Sequence, residues 1–397
     1  MKLSRRSQKV KPSPTLAITA KAKAMRTQGI DVISFSAGEP DYDTPQHIKD
    51  AAIKALQEGF TKYTPAGGIN ELKDAITEKL LKENKIHYKR DQILISCGGK
   101  HSLYNVAQAL INDGDEVIVP APYWVSYPPI IMLAGGKPVI LSTSEEEGFR
   151  LSPEALKGAI TPKTKAMIIN SPSNPTGSAY TRRDLEKLAE IALKHKIYII
   201  SDEIYEKIVY DGFEHVSIAS LGEEIKNTTI LVNGVSKTYS MTGWRIGYTA
   251  GSREIIEAMD KIQSQSTSNP TSFAQMGALA ALCGTQENIM LMAEEYQRRR
   301  DLIWESLMLI NDISCYKPLG AFYVFPNIGA YLGRRFKGKK LEDSSQLSSF
   351  LLDEARVAVV PGIDFGAEGY IRLSYPISPK VIQEGVKRIK EALSLLD

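Results

Sequence analysis

The segment TTILVNGVSKTYSMTGWRIGY, residues 228–248, starts with the apolar run ILV and passes into small, turn-forming residues around Lys237. The apolar run predicts a buried strand. The segment IYIISDEIY, residues 197–205, predicts a second strand that ends in Asp202 and Tyr205. A lysine near the end of a buried strand loses solvation, and its amine then becomes nucleophilic near neutral pH. An aspartate at the end of the second strand can hold a ring cation.

Outward from these two strands, short apolar runs alternate with helical patterns. Further strands are predicted at 92–96, 116–119, 137–141 and 166–170, and helices at 153–159 and 182–195 separate some of them. This alternation predicts an α/β fold with a mainly parallel sheet whose two faces are covered.

The last part of the chain follows a different pattern. After a long helical stretch at 287–311, the segments LGAFYVFPN and YIRLSYP predict a smaller α+β domain, which we expect to recruit the N-terminal segment. A chain of 397 residues is expected to hold about two domains. We place the large domain at 44–286 and the small domain in 1–43 together with 287–397.

The composition is that of an ordinary globular protein. Apolar residues make up 43% and charged residues 24%, and 49 basic against 46 acidic side chains leave a net charge of +3. This balance gives no reason to expect nucleic acid or a membrane as a partner. The three cysteines, Cys97, Cys283 and Cys315, are scattered and are not spaced as metal ligands, so we expect no metal and a reducing, cytoplasmic environment.

Lys237 and Asp202 together suggest an enzyme that bonds covalently to pyridoxal 5′-phosphate. In such an enzyme the Asp202 carboxylate keeps the pyridine nitrogen protonated, and Tyr205 points its hydroxyl at the ring oxygen. Each residue also has a simpler explanation. A lone lysine in a loop is usually solvated, and an aspartate after a strand is often only a helix N-cap.

Two loop segments add candidate binding groups. Asn174 lies in NSPSNPTG, residues 170–177, at a predicted strand's carboxyl end, where open α/β sheets bind ligands. Gly98, Gly99 and Lys100 open a helix, and backbone N–H groups at a helix N-terminus can bind a phosphate. A structural turn and a surface lysine are the simpler alternatives.

Three further side chains have both a functional and a structural interpretation. Trp124, in APYWVSYP, could stack on an aromatic cofactor or belong to the core. Arg245, in TGWRIGY, could clamp a phosphate. Arg372, in YIRLSYP, could bind a carboxylate through both arms of its guanidinium or form an internal salt bridge.

The order and spacing of these motifs is specific. The series GGK, YW, NPTG, SDEIY, SKT…GWRIG and IRLS resembles the class I aminotransferases of pyridoxal-phosphate fold type I, from AGEPDYDTP at 37–45 to IRLSYP at 371–376. The chain is most similar to the subgroup of bacterial and plastid aspartate aminotransferases that also contains prephenate aminotransferases. The resemblance implies a large domain with a mainly parallel seven-stranded sheet.

The resemblance also assigns the cofactor contacts. It implies that Lys237 bonds to pyridoxal 5′-phosphate, that Asp202 pairs with the ring nitrogen, and that Trp124 stacks on the ring. Tyr205 and Asn174 would bind the ring oxygen. The phosphate would be held by groups around the helix start, namely Gly99, Lys100, Ser236 and Arg245, and by Tyr63 of a partner subunit, which requires a homodimer.

The substrates implied are amino acids and 2-oxo acids. Arg372 would bind the substrate α-carboxylate, with Asn174, Trp124 and the Gly38 backbone beside it. Lys100 and Thr15 would bind a second carboxylate.

The chain departs from another aminotransferase subgroup at two places. The animal and enterobacterial relatives carry a phosphate-binding serine three residues before the lysine, where this chain has Gly234. They also bind the side-chain carboxylate with an arginine that precedes the long helix, and residues 262–297 contain no Lys or Arg here. Lys100 is the expected substitute.

We therefore expect an aspartate aminotransferase, with glutamate- or aspartate-prephenate aminotransferase as the alternative, since prephenate also carries a second carboxylate. Aromatic or alanine substrates are disfavoured because Lys100 would then lack an anion. A transcription regulator built on this domain would need an added DNA-binding domain, and only about 30 residues precede the first motif. A dinucleotide-binding protein is disfavoured because the fingerprint is absent.

Overall fold

The chain is described from a computed structural model over residues 3–12 and 14–397, and for residues 14–16 the description covers the backbone only. Its helices are, in chain order, α1 (Arg5–Gln8), α2 (Pro14–Thr27), α3 (Gln46–Gln57), α4 (Asn70–Asn84), α5 (Gly99–Leu110), α6 (Tyr127–Leu133), α7 (Pro153–Ala159), α8 (Arg182–His195), α9 (Glu223–Thr228), α10 (Arg253–Ser266), α11 (Ser272–Cys283), α12 (Glu287–Met308), α13 (Ser344–Glu354) and α14 (Pro379–Leu393). Its strands are β1 (Ile33–Ser34), β2 (Ile93–Ser96), β3 (Glu116–Ala121), β4 (Lys137–Ser142), β5 (Thr164–Asn170), β6 (Tyr198–Asp202), β7 (Thr229–Gly234), β8 (Gly247–Ala250), β9 (Tyr323–Val324), β10 (Arg335–Phe336), β11 (Lys339–Lys340), β12 (Val357–Ala358), β13 (Val360–Pro361) and β14 (Ile371–Ser374).

A seven-stranded sheet forms the centre of the larger part of the molecule. Its strand order is β2-β8-β7-β6-β5-β3-β4. Five neighbouring strands, from β7 to β4, run parallel, and only β8 is antiparallel to its neighbours β2 and β7. The predicted α/β class and the mainly parallel sheet are confirmed. The sequence pattern did not predict β8, because its GYTA segment is short and carries a glycine.

Helices cover both faces of this sheet, as continuous apolar strands require. Alternate residues of one strand point to opposite faces. Thus Ile168 and Ile200 pack with side chains of α5 and α10, whereas Met167 and Ile199 pack with those of α8. Helix α8 starts at a capping box in which Thr181 and Asp184 satisfy each other's backbone N–H groups.

A second core lies around the C-terminal part of the chain. A three-stranded antiparallel sheet, β13-β14-β9, packs there with apolar residues of α12, α13 and α14. Strand β1 pairs in parallel with β12, Ile33 opposite Val357, so that residues near the N-terminus share this core. None of the helices within the described ranges is long and apolar enough to cross a membrane.

Candidate active site

One cavity lies at the carboxyl ends of β5, β6 and β7. Asn170 pairs with Asp202, and Asp202 pairs with Val232, so that these strands end side by side. The cavity has a volume of about 300 Å³. Most of the residues that were predicted to form the site line it, namely Gly38, Gly99, Lys100, Trp124, Asn174, Asp202, Tyr205, Ser236, Lys237, Arg245 and Arg372.

Lys237 follows shortly after the end of β7. Its Nζ donates a hydrogen bond to the carbonyl oxygen of Gly38 at 2.5 Å. Burial lowers the pKa of Lys237 to about 8; the Glu39 carboxylate opposes this shift and the Arg372 guanidinium adds to it. A lysine with that pKa has roughly a tenth of its amine neutral at pH 7, and the neutral amine is the nucleophilic form.

Asp202 is the last residue of β6 and is buried. Its Oδ2 accepts a hydrogen bond from the Tyr127 hydroxyl at 2.7 Å, and its Oδ1 accepts one from the Ile204 N–H at 3.3 Å. Burial raises the pKa of Asp202 to about 6, and the hydrogen bond from Tyr127 opposes that shift. The carboxylate would be stabilised by a cation brought into the cavity. No sequence signal singled out Tyr127, although it lies in the quoted Trp124 segment.

Tyr205 faces a residue that the sequence did not mark as functional. Its hydroxyl lies 2.7 Å from that of Tyr323, which also lines the cavity. Both rings are buried. Tyr323 lies in the segment LGAFYVFPN, which by its pattern alone predicted only a hairpin of the small domain.

Arg372 is a buried cation without an acidic partner in the described part of the chain. Its Nη1 donates to the Asn174 Oδ1 at 3.1 Å and its Nη2 to the Ser36 carbonyl oxygen at 2.6 Å, while the buried Nε has no partner. The guanidinium lies over the ring of Tyr323, 4.7 Å from its centroid, and over that of Phe365. Burial lowers the pKa of Arg372. The described residues thus form no internal salt bridge with Arg372, which leaves its charge available to an anion in the cavity.

At another part of the cavity, the backbone of β8 lies very close to the start of α5. Helix α5 begins at Gly99, and a Cβ on Gly247 of β8 would lie within 2.5 Å of the Gly98 carbonyl carbon. Gly98 has a φ of +90°, and a side chain there would overlap the Arg245 guanidinium. The helix start at Gly99, Arg245 and the buried Ser236 thus line the same cavity, and a helix N-terminus with a nearby cation suits an anion.

The glycine that replaces a serine three residues before the lysine has a steric reason. A Cβ on Gly234 would lie 3.0 Å from the Gly247 Cα and 3.0 Å from the Ile246 carbonyl oxygen. Strand β8 therefore occupies the space that a larger side chain would need.

Lys100 and Trp124 form the remaining wall. The Lys100 Nζ lies 5.0 Å from the Trp124 ring centroid, and Trp124 contacts the Tyr127 ring edge-on at a centroid distance of 5.3 Å. Partial burial and the nearby Arg245 lower the pKa of Lys100. Within the described residues no carboxylate forms an ion pair with Lys100, and Lys100 lines the cavity.

Two predicted residues are not among the described residues that line this cavity. Tyr63 is 90% exposed and lies outside it. The side chain of Thr15 lies outside the described residues, although its backbone belongs to α2.

The cavity matches the parts of pyridoxal 5′-phosphate. The anion site around Gly99 and Arg245 suits the phosphate, and the buried Asp202 carboxylate suits a ring cation. Trp124 offers a flat face for the ring. Lys237 offers a partly neutral amine for the carbonyl carbon. The residues present therefore fit this cofactor.

A second polar cluster has carboxylates that are satisfied by neighbouring side chains, while the buried Nδ1 of its histidine has no partner in the described chain. Glu203, Glu206 and His215 bring their ligand atoms within 4.8 Å of one another. The carboxylates already accept hydrogen bonds from several side chains, namely Lys79, Asn84, Ser201, Ser217 and Asn233. We assign no metal site to it.

Comparisons with known proteins agree on one family. Residues 30–389 match the family described as aminotransferase class I and II. The chain is 52% identical over 390 residues to the aspartate aminotransferase of Bacillus subtilis, covering 98% of both chains. It is 50% identical to the probable aspartate/prephenate aminotransferase of Rickettsia bellii, again over 98% of both chains.

Solved structures give the same result. The aspartate aminotransferase of Rhizobium meliloti superposes with a TM-score of 0.96 at 44% identity, covering 100% of both chains. The Thermus thermophilus aspartate aminotransferase with maleate superposes with a TM-score of 0.93 at 44% identity, covering 99% of this chain and 100% of that one.

Proposed function

The chain belongs to the class I and II aminotransferases, transaminases that use pyridoxal 5′-phosphate, and on that premise we propose that it is an aspartate aminotransferase. It would transfer the amino group of L-aspartate to 2-oxoglutarate and give oxaloacetate and L-glutamate. The observation that carries this proposal is the charge of the cavity. Among the described residues, four basic side chains, Lys100, Lys237, Arg245 and Arg372, line it with a single acidic one, Asp202.

This excess of positive charge fits a phosphorylated cofactor together with a dicarboxylate substrate. Arg245 is assigned to the phosphate, which leaves Arg372 and Lys100 for two carboxylates. A planar guanidinium binds a carboxylate bidentately, whereas an ammonium acts as a point charge. We therefore assign the α-carboxylate to Arg372 with Asn174 and Gly38, and the side-chain carboxylate to Lys100 with Thr15.

When bound, pyridoxal 5′-phosphate would act as an electron sink for the substrate Cα. The remaining tasks belong to the protein. Asp202 would keep a proton on the ring nitrogen, while Tyr205 and Asn174 would hold the ring oxygen. The Lys237 Nζ would take the proton from the substrate Cα as a general base and would then deliver it, as a general acid, to the carbon that was the aldehyde carbon of the cofactor. Arg372 and Lys100 would orient the Cα–H bond toward that amine.

We also propose a homodimer with shared sites. Tyr63 is 90% exposed, yet the loop that follows it is held tightly by Gln275 of α11. The Gln275 amide donates to the Thr64 hydroxyl at 3.1 Å and accepts from the Ile69 N–H at 2.9 Å. An exposed aromatic residue on a rigid loop suits a contact with a second copy, where Tyr63 would reach the partner's phosphate.

The domain division belongs to the proposal as well. Residues 44–286 would form the cofactor-binding domain, and 1–43 with 287–397 the small domain. The pairing of β1 with β12 supports that grouping. A cytoplasmic location is supported by the three cysteines, all of them unpaired.

Prephenate is the second candidate amino acceptor. It carries a second carboxylate, which Lys100 would bind equally. A relative at 50% identity bears the name probable aspartate/prephenate aminotransferase, and this similarity supports prephenate as a second acceptor.

The test is a single-turnover assay on purified protein with the cofactor bound. The visible absorbance is followed as aspartate, glutamate or alanine is added, and the aminated form is then challenged with oxaloacetate, 2-oxoglutarate or prephenate. Rapid bleaching by both dicarboxylates, and recovery with the two matching oxo acids, are expected.

Efficient recovery with prephenate would establish the second activity. Faster bleaching by alanine than by aspartate would contradict the assignment of Lys100. The matched control is Lys237→Ala, in which neither bleaching nor recovery should occur at a normal rate.

A further inference from the structure

Tyr323 contacts two predicted site residues at once and has no role in the function proposed above. It opens β9, is fully buried, and its hydroxyl lies 2.7 Å from the Tyr205 hydroxyl. Its ring carries the Arg372 guanidinium 4.7 Å from the centroid. A Cβ on Gly38 would lie 2.8 Å from the same hydroxyl. Tyr323 therefore lies between Tyr205, which is assigned to the cofactor, and Arg372 and Gly38, which are assigned to the substrate.

The hydrogen bond between the two tyrosines has only two possible directions. A phenol has one proton to donate and can accept through its oxygen. If Tyr205 donates its proton to the ring oxygen of the cofactor, it cannot also donate to Tyr323, so Tyr323 must donate to Tyr205. Neither hydroxyl has another hydrogen-bond partner within the described residues.

A hydroxyl that accepts a hydrogen bond becomes a better donor, because consecutive hydrogen bonds polarise one another. Tyr323 would thus strengthen the bond from Tyr205 to the cofactor. The same ring supports the guanidinium face of Arg372, whose charge no carboxylate in the described chain neutralises.

We propose that Tyr323 is a positioning residue, which orients the Tyr205 hydroxyl proton toward the cofactor and supports Arg372 for the substrate. This inference rests on the proposed function, because it takes Tyr205 as the ligand of the ring oxygen.

The chain offers a matched control in Tyr375. It is equally buried in the same core, and its hydroxyl contacts the Tyr210 hydroxyl at 3.3 Å and the Ala321 carbonyl oxygen at 3.4 Å rather than the cavity. Tyr375→Phe therefore removes the same buried oxygen atom without touching the site. Tyr323→Phe and Tyr375→Phe should cost similar stability if Tyr323 serves only the core.

The experiment is a pH titration of the visible absorbance of the holoenzyme for wild type, Tyr323→Phe, Tyr375→Phe, Tyr205→Phe and the Tyr205→Phe/Tyr323→Phe double variant. A hydroxyl that donates to the ring oxygen stabilises the deprotonated form of the bound cofactor. A weaker hydrogen bond therefore raises the pH at the midpoint of this titration. The charged groups around the pair, Arg372, Asp202, Lys237 and Glu39, are unchanged in every variant.

We expect Tyr323→Phe to raise the midpoint by roughly 0.5 pH unit, less than Tyr205→Phe does, and to have no effect in the Tyr205→Phe background. Tyr375→Phe should leave the midpoint unchanged. The KM for aspartate should also rise in Tyr323→Phe and not in Tyr375→Phe.

An unchanged midpoint in Tyr323→Phe, or an equal shift with and without Tyr205, would overturn this inference alone. If Tyr205→Phe itself left the midpoint unchanged, the proposed cofactor contact would be wrong and the inference would be lost with it. Thermal unfolding of the apoproteins shows whether the two Tyr→Phe variants are equally folded.

Discussion

At the scale of single residues, burial moves two pKa values in opposite directions. It lowers that of Lys237 to about 8 and raises that of Asp202 to about 6. Both shifts have the same origin, since burial disfavours the charged form of either group. Burial therefore leaves the Asp202 carboxylate in need of a cation and leaves part of the Lys237 amine neutral. The neutral amine can react with a carbonyl group, and the carboxylate can bind a ring cation.

The shift at Lys237 predicts a pH dependence of stability. Between about pH 8 and 10.5 the unfolded chain binds more protons at this residue than the folded chain does, so the free energy of unfolding rises with pH over that window. From the lower to the upper end of this pH window, the free energy of unfolding of the wild-type apoprotein should rise by up to roughly 3 kcal/mol relative to that of Lys237→Met. Denaturant titrations of both proteins at several pH values measure this difference. A difference that stays constant with pH would contradict the burial of the ammonium group.

Replacement of Lys100 tests the substrate assignment. Lys100→Met keeps most of the side-chain length but removes the charge, so kcat/KM for aspartate should fall by about 10- to 100-fold, with little change for alanine. Lys73→Met is the matched control. Burial also lowers the pKa of Lys73, but that lysine lies outside the cavity. Equal losses for aspartate and alanine would remove Lys100 from the carboxylate site.

At the scale of elements, the phosphate end depends on how closely strand β8 approaches the start of α5. Gly247 pairs with Ser96 on one side and with Gly234 on the other. Its missing side chain lets the backbone of Gly98 and Gly99 lie directly against it. Glycine is therefore needed at 247 because of space.

We expect Gly247→Ala to displace the N-terminus of α5 and to weaken cofactor binding. A Cβ forced against backbone costs about 1–3 kcal/mol, which corresponds to a rise of roughly 5- to 150-fold in the dissociation constant of pyridoxal 5′-phosphate if the strain falls on the holo form. Gly251→Ala is the control, because its Cβ would meet its nearest atom at 3.7 Å. Fluorescence titration of each apoprotein with pyridoxal 5′-phosphate measures the two dissociation constants. Equal affinities in the two variants would contradict the steric account.

At the scale of the whole molecule, one predicted residue whose side chain is described, Tyr63, lies outside the cavity of a single chain. Eleven of the predicted residues line it, whereas Tyr63 lies on the surface. The proposed dimer would complete the phosphate site from a second copy. It also makes each site depend on two chains, a property that can be measured.

Mixed dimers test that dependence. Tyr63→Ala and Lys237→Ala are each expected to lower activity strongly as homodimers. In a mixed dimer the Tyr63→Ala chain keeps its own Lys237 and receives Tyr63 from its partner, so one of the two sites should recover full turnover. If Tyr63 acted within its own chain, mixing would restore nothing. Turnover after co-refolding, with unmixed proteins as controls, distinguishes the two cases.

The fold class and most of the lining of the cavity could be predicted from the order of the amino acids. Strands end at predictable points, and parallel strands bring their carboxyl ends to one edge, so Asn174, Asp202 and Lys237 could be placed together from their positions in the chain. The order of motifs was enough to identify the family. These features are local in sequence, which is why they can be read from it.

Contacts between distant segments, in contrast, depend on how the folded chain packs in three dimensions. Tyr127 and Tyr323 lie in segments with no marked pattern, and their contacts with Asp202 and Tyr205 join residues 75 and 118 positions apart. That Arg372 has no acidic partner among the described residues likewise depends on everything packed around it. Hydrogen bonding and desolvation act through space, and their outcome is set only when the whole chain has folded.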